Sequence, residues 1–164
     1  EGLRGAHAVG DRQGSAAGEG GGVTCIASAV LTDGRRVIAA DTHGEDSYLK
    51  FGDRQKIGRS GGLLWGVAGN ERGKWFVEEA VRLSGDHATP QQVADEVEKL
   101  CGGNVDKWDS TAIVIHGSEI WRIGTGFGLN RMHDPIMCCG SGQEIAIGYL
   151  WACLEAGALK EKHE

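Results

Sequence analysis

The sequence predicts an α+β fold of antiparallel sheets with helices segregated to their outer faces. Three observations predict it. Strand-like runs come in pairs joined by short glycine-containing turns. Helix-like segments come in blocks and do not alternate with strands. The runs that end at Asp41 and Gly69 are nearly continuous apolar stretches, the pattern of strands covered on both faces.

Residues 1–22 are rich in glycine and almost free of large apolar groups. They cannot bury enough surface to order themselves and are expected to be a disordered tail or propeptide. One domain is expected over 23–164. It opens with a hairpin, 23–31 and 35–41, turned at Thr32-Asp33-Gly34. A second strand pair, 55–58 and 62–68, turns at Ser60-Gly61-Gly62. Asn70 caps a helix over 71–84 that Gly85 ends, with Trp75, Val77, Ala80, Val81 and Leu83 available for burial. Thr89-Pro90-Gln91-Gln92 starts the next helix, with Thr at the N-cap, Pro in the first turn and Gln at the third position. That helix runs to about Cys101 and stops at Gly102-Gly103. Strands follow at 110–116 and 119–124, then a short one near 135–139. Gly140-Ser141-Gly142 leads into a last helix over 143–156, with Ala146, Ile147, Leu150 and Cys153 inward.

Composition narrows the function. The chain has 164 residues, 40% of them hydrophobic, and a formal net charge of −6. That length predicts one domain. No apolar run is long enough for a membrane span, no secretory signal opens the chain, and no Lys/Arg cluster suggests a nucleic acid. The five cysteines, Cys25, Cys101, Cys138, Cys139 and Cys153, are irregularly spaced and suggest neither a disulfide framework nor a zinc site. They read as packed thiols in a reducing cytoplasm. Gly124-Thr125-Gly126-Phe127-Gly128 lies between strands and not before a helix, so it reads as a turn and not as a phosphate loop.

The chemistry sits in an ordered set of residues. Thr24 opens a strand, Asp41 closes the next, and Lys56 follows in a loop. This is the order in which N-terminal-nucleophile amidohydrolases present a nucleophile whose own α-amine is the base. The blocks Thr24-Cys25-Ile26-Ala27, Ile38-Ala39-Ala40-Asp41-Thr42, Lys56-Ile57, Leu63-Leu64-Trp65-Gly66-Val67-Ala68-Gly69 and Gly140-Ser141-Gly142 resemble successive blocks of the proteasome β-subunit and HslV-type threonine peptidase family. The resemblance covers about 23–157. It implies a four-layer αββα sandwich of two antiparallel sheets, here C-terminally short, since nothing after Leu154 matches the family's closing section. It implies Thr24 as nucleophile, Lys56 lowering the pKa of the amine and the nucleophile by like charge, Asp41 holding Lys56, a backbone N–H near Gly66 for the oxyanion, and Ser141 at the terminal amine. Arg54 is placed near the pocket for the substrate side chain, favouring acidic residues. No cofactor is required. The implied partners are polypeptide substrates, a homo-oligomeric ring and an ATPase unfoldase.

Two readings stay open beside this one. Thr24 to Lys56 spans 32 positions, as in the family, whereas Thr24 to Asp41 spans 17, one more than the family's. A longer first hairpin keeps Thr24 as nucleophile; a register shift makes it Cys25, in a cysteine-type enzyme. Thr24 is also internal, and must be exposed by processing or by a chain start at Val23. If it is not, the chain is an inactive structural ring subunit.

Overall fold

A computed structural model describes residues 24–31, 33–41, 44–46, 49–51 and 55–157. The expected tail at 1–22 and Arg54 lie outside the described residues. In chain order the strands β1 to β6 are Cys25–Val30, Arg36–Ala40, Gly44–Asp46, Leu49–Phe51, Ile57–Ser60 and Leu63–Gly69. Helices α1 (Glu71–Ser84) and α2 (Pro90–Cys101) follow. The strands β7 to β10 are Ser110–His116, Glu119–Ile123, Leu129–Met132 and Ile136–Gly140, and α3 is Gln143–Glu155.

Three of these strands are additions to the sequence reading. The pair β3–β4 and the edge strand β9 were not expected, nor was the 3-10 turn at Val105–Lys107. The helix ends agree with the reading because their caps are written locally. Asn70 Oδ1 accepts from the Gly73 N–H at 2.8 Å. Thr89 and Gln92 close a reciprocal capping box around Pro90, and Gly102 ends α2 in the left-handed conformation.

Every strand pairing is antiparallel. One sheet has the order β10-β1-β2, the other β5-β6-β7-β8-β9, and β3-β4 stand as a separate hairpin. Burial assigns the layers. In β7, Ala112 and Val114 join the core beneath α1 and α2, while Ile113 and Ile115 join the core between the two sheets. Alternation thus buries both faces of one strand, as its unbroken apolar run requires. In β10, Met137 and Cys139 face the second sheet, and Ile136 and Cys138 face α3. The vicinal cysteines therefore point to opposite faces of their sheet. The layers run α1/α2, five-stranded sheet, three-stranded sheet, α3, which is an αββα sandwich.

The buried face of α1 is Phe76, Val77, Ala80 and Val81. Trp75 and Leu83, expected to be available for burial, are about half exposed. They flank the face that meets the sheet, and their apolar character alone did not say on which side. Ala146, Ile147, Leu150 and Cys153 of α3 pack inward as expected, yet Ile145, Tyr149 and Trp151 remain exposed on the same helix. The glycine-rich 124–128 segment is the β8–β9 turn, closed by Gly124 N–H on Gly128 O at 2.9 Å. No helix among the described residues is long and apolar enough to cross a membrane.

Candidate active site

The site lies at one end of the sandwich, where β1 begins and β2 and β10 end. The β1–β2 connection runs 31–35 and is closed by Leu31 N–H on Arg35 O and Gly34 N–H on Leu31 O, both at 2.8 Å. The ladder pairs Ile26 with Ala40, and the Asp41 N–H donates to Cys25 O at 3.1 Å. The connecting loop absorbs its own length, and the register delivers Asp41 beside the start of β1.

Asp41 uses its two oxygens in two directions. Oδ1 accepts the Cys25 backbone N–H at 2.6 Å. Oδ2 accepts from Lys56 Nζ at 2.7 Å. The Lys56 side chain is 10% exposed and that of Asp41 29%. Lys56 precedes β5, where its carbonyl accepts the Val67 N–H at 3.0 Å. Burying an ammonium is costly unless a carboxylate accompanies it, so the lysine's depth and the ion pair belong together.

Ser141 completes the cluster. The Thr24 N–H donates to Ser141 Oγ at 3.1 Å, and Ser141 Oγ in turn reaches the Thr24 carbonyl at 3.5 Å. As an isolated residue, Ser141 reads most simply as the cap of α3. The N-cap is instead Gly142, with no side-chain cap bond, which leaves the serine hydroxyl to Thr24. The Gly142 N–H also approaches the Thr24 carbonyl, at 3.5 Å. The peptide between Thr24 and Cys25 is therefore held on its N–H by Asp41 and on its carbonyl by the Gly140-Ser141-Gly142 turn. Thr24 itself is buried, at 7% exposure.

Of the residues singled out in the sequence, Thr24, Asp41, Lys56 and Ser141 meet in this one network, and Cys25 enters it through its backbone. Gly66 lies outside it. It pairs with Ile57 on β5 and Ile113 on β7. Because Val67 makes the bond to Lys56, ladder alternation turns the Gly66 N–H toward β7. Its missing side chain lets Ile26, Ile38 and Ile57 close over it between the sheets. The Cys25 thiol is pushed up by burial and by the Asp41 charge, with Lys56 acting the other way. Gly140 and Gly142 were read as flanking Ser141 in one of the family-like blocks, with no role of their own; their sequence signal was a glycine on each side of the serine. Among the described residues, no group of three or more His, Cys, Asp or Glu side chains gathers closely enough to hold a metal.

Solved structures share this architecture. Thiobacillus denitrificans BPH in complex with epoxomicin superposes with a TM-score of 0.66, covering 83% of this chain and 82% of that one at 18% identity. HslV from Trypanosoma brucei gives 0.56 over 85% and 82% at 16% identity. The chain has the HslV-type fold. Anbu from Hyphomicrobium sp. strain MC1 shares it as well, with a TM-score of 0.59 over 85% of this chain and 68% of that one at 18% identity. No protein-family model matches the sequence, and no curated protein matches it. Within the HslV-type fold, the Thr24 network occupies the end of the sandwich at which β10 gives way to α3.

Proposed function

We infer that the chain is a threonine-type peptidase subunit that hydrolyses peptide bonds in a proteasome-like ring. The observation that carries this reading is a single network in which Ser141 accepts the Thr24 N–H, Asp41 accepts the Cys25 N–H of the adjoining peptide, and Lys56 pairs with Asp41.

Once Thr24 is the first residue, its nitrogen is a free amine beside Ser141 Oγ. The amine takes the hydroxyl proton, directly or through water, and the hydroxyl oxygen attacks the substrate carbonyl. The acyl-enzyme forms as the leaving amine takes up a proton, and water then releases the acyl group. Lys56 places a positive charge at the site, which lowers the basicity of the amine toward working pH and favours the developing alkoxide. Asp41 holds Lys56 and the Thr24–Cys25 peptide in one geometry. Gly66 is not given the oxyanion role that the resemblance implied, because its N–H is turned into the ladder with β7. No cofactor takes part. Thr24 is favoured over Cys25 because the nitrogen on Ser141 belongs to Thr24, while that of Cys25 is held by Asp41. The raised Cys25 pKa also keeps its thiol protonated at neutral pH. Ring assembly, with an ATPase unfoldase feeding polypeptide into it in the cytoplasm, belongs to the same proposal. The exposed Trp75, Leu83, Ile145, Tyr149 and Trp151 support association with other chains.

The test is hydrolysis of short fluorogenic peptide amides by a chain trimmed to begin at Thr24, against the full chain. General-base assistance is commonly worth ~100- to 10,000-fold, so the trimmed chain is expected to turn over and the full chain to be nearly inert. Thr24→Ala and Lys56→Ala abolish turnover in the trimmed chain; Cys25→Ala changes it little. Activity that survives Thr24→Ala and dies with Cys25→Ala makes the enzyme cysteine-type. A folded, assembled and inert trimmed chain makes it a structural subunit.

A further inference from the structure

The geometry points to Gly140 as the positioning residue that sets where the Thr24 carbonyl, and with it the whole reacting backbone, can sit. This rests on the peptidase reading of Thr24 and adds to it a residue that touches no substrate.

Cys25 and Gly140 form the last rung of the β1–β10 ladder. Beyond that rung the chain must leave the strand and pass Ser141 across the start of β1. Gly140 makes the exit at φ +97°, a conformation that side chains rarely tolerate. The space its side chain would need is already filled. A Cβ there would lie 2.0 Å from the Thr24 carbonyl oxygen, 2.8 Å from the Thr24 carbonyl carbon and 3.2 Å from Ala68 Cβ. The first two neighbours are backbone, and this backbone cannot step aside alone. Its carbonyl oxygen faces Ser141 Oγ and the Gly142 N–H, and the N–H of the same peptide plane is on Asp41 Oδ1. A push on the Thr24 oxygen tilts that plane and pulls the Cys25 N–H from Asp41, whose other oxygen carries Lys56. Gly140 thus acts through one carbonyl on Ser141, Asp41 and Lys56.

Gly142 lies on the other side of the same serine and serves as a contrast. Its φ is −91°, ordinary for any residue. A Cβ there would lie 3.0 Å from Cys25 Cβ and 3.4 Å from Cys25 Sγ, both in a side chain at the rim. The two glycines flank one serine and are unequal: one meets fixed backbone, the other a side chain.

The experiment is site-resolved amide hydrogen exchange on the full chain, comparing the parent, Gly140→Ala and Gly142→Ala. In Gly140→Ala the Cys25 amide is expected to exchange at least ~10-fold faster, the loss of one charge-assisted hydrogen bond. Ile113 to Ile115 in the other sheet should keep parental protection. Gly142→Ala should stay within ~3-fold of the parent at Cys25. After cleavage of the folded chain immediately before Thr24, Gly140→Ala should lower kcat for a peptide amide and leave KM unchanged, because the substrate site is untouched and only the nucleophile is displaced. Unchanged Cys25 exchange in Gly140→Ala overturns the inference. So does an equal or larger effect in Gly142→Ala. So does loss of protection across Ile113 to Ile115 as well, which would make Gly140 a residue of the fold and not of the site. The exchange readout needs no catalysis. A parent that is inert after cleavage but shows the expected exchange pattern sinks the peptidase reading and leaves the positioning geometry standing.

Discussion

Replacing Asp41 by asparagine separates its two duties. The new side chain is nearly the same shape and keeps an oxygen for the Cys25 N–H. Toward Lys56 Nζ, which in the parent lies 2.7 Å from a carboxylate oxygen, it presents a neutral amide. At an effective dielectric near 20, a charge pair at this distance interacts by about 6 kcal/mol in gross terms. Much of that offsets the cost of burying the two ions. Removing one partner loses the attraction and leaves the desolvation of the lysine in place, commonly about 3–5 kcal/mol for a fully buried pair. Asp41 is 29% exposed against 10% for Lys56, so solvent screening brings the expected loss to about 2 kcal/mol. For a domain of this size that is a fall in Tm of about 4–8 °C. The assay is urea unfolding of the full chain at pH 7, comparing the parent, Asp41→Asn, Lys56→Met and the double variant. The double variant should be less destabilised than the sum of the singles, because it removes the buried ammonium together with the carboxylate that offsets its desolvation. Asp41→Asn within about 0.5 kcal/mol of the parent, or strict additivity in the cycle, would refute the reasoning.

Burial pushes the Cys138 thiol up to about 11 and the Cys139 thiol up to about 12, from an ordinary value of 9.0. Well below pH 9 both are protonated in either state. Above it the unfolded chain releases protons the folded chain keeps, so stability falls as pH climbs from about 9 toward these folded values. Cys139→Ala should make that fall shallower by up to about 1.4 kcal/mol per pH unit in urea titrations between pH 9 and 10.5; parallel curves for variant and parent would contradict it. Gly66→Ala would place a Cβ 2.8 Å from Ile26 Cγ2, 2.9 Å from Ile38 Cδ1 and 3.1 Å from Ile57 Cγ2. Overpacking between the sheets should cost about 1–3 kcal/mol, partly relieved by Ile38→Val. An unaffected urea midpoint in Gly66→Ala would show that the sheets have room there.

Much of this molecule was legible because it is written locally. Asn70, Gly85, Thr89-Pro90 and Gly102 fix the ends of α1 and α2 with side-chain oxygens, a proline and a left-handed glycine, and each acts within one turn of the chain. The edge strand β9 has no such signal. Its residues Leu-Asn-Arg-Met have a half-buried, exposed, exposed, half-buried pattern, with no alternation to read, and it is held by pairing with β8 and by Leu129 and Met132 packing on the two cores. β3 and β4 are three residues each, too short for any period to appear. In the site, Thr24, Asp41, Lys56 and Ser141 could be named from their order along the chain. The choice between Thr24 and Cys25 could not, because one extra residue in the sequence can sit in a loop or shift a register. The bond on which the proposed choice of Thr24 rests, from its nitrogen to a serine 117 positions away, is tertiary. Nor could the sequence show that the Gly140 Cα lies against the Thr24 carbonyl, since only the folded β1–β10 pairing brings them together.

That 117-residue separation also orders events in time. The β5–β6 hairpin, the α1–α2 pair and the β7–β8–β9 meander join near neighbours, and each closes a short loop. The pairing of β1 with β10 joins Cys25 to Gly140, and so long a closure is entropically the slowest to be rewarded. The five-stranded sheet with its two helices is thus expected to assemble first, and the Thr24 network only when β10 docks beside β1. A refolding chain is then expected to hold the five-stranded scaffold before the Thr24 network, which needs the Cys25–Gly140 rung, comes together.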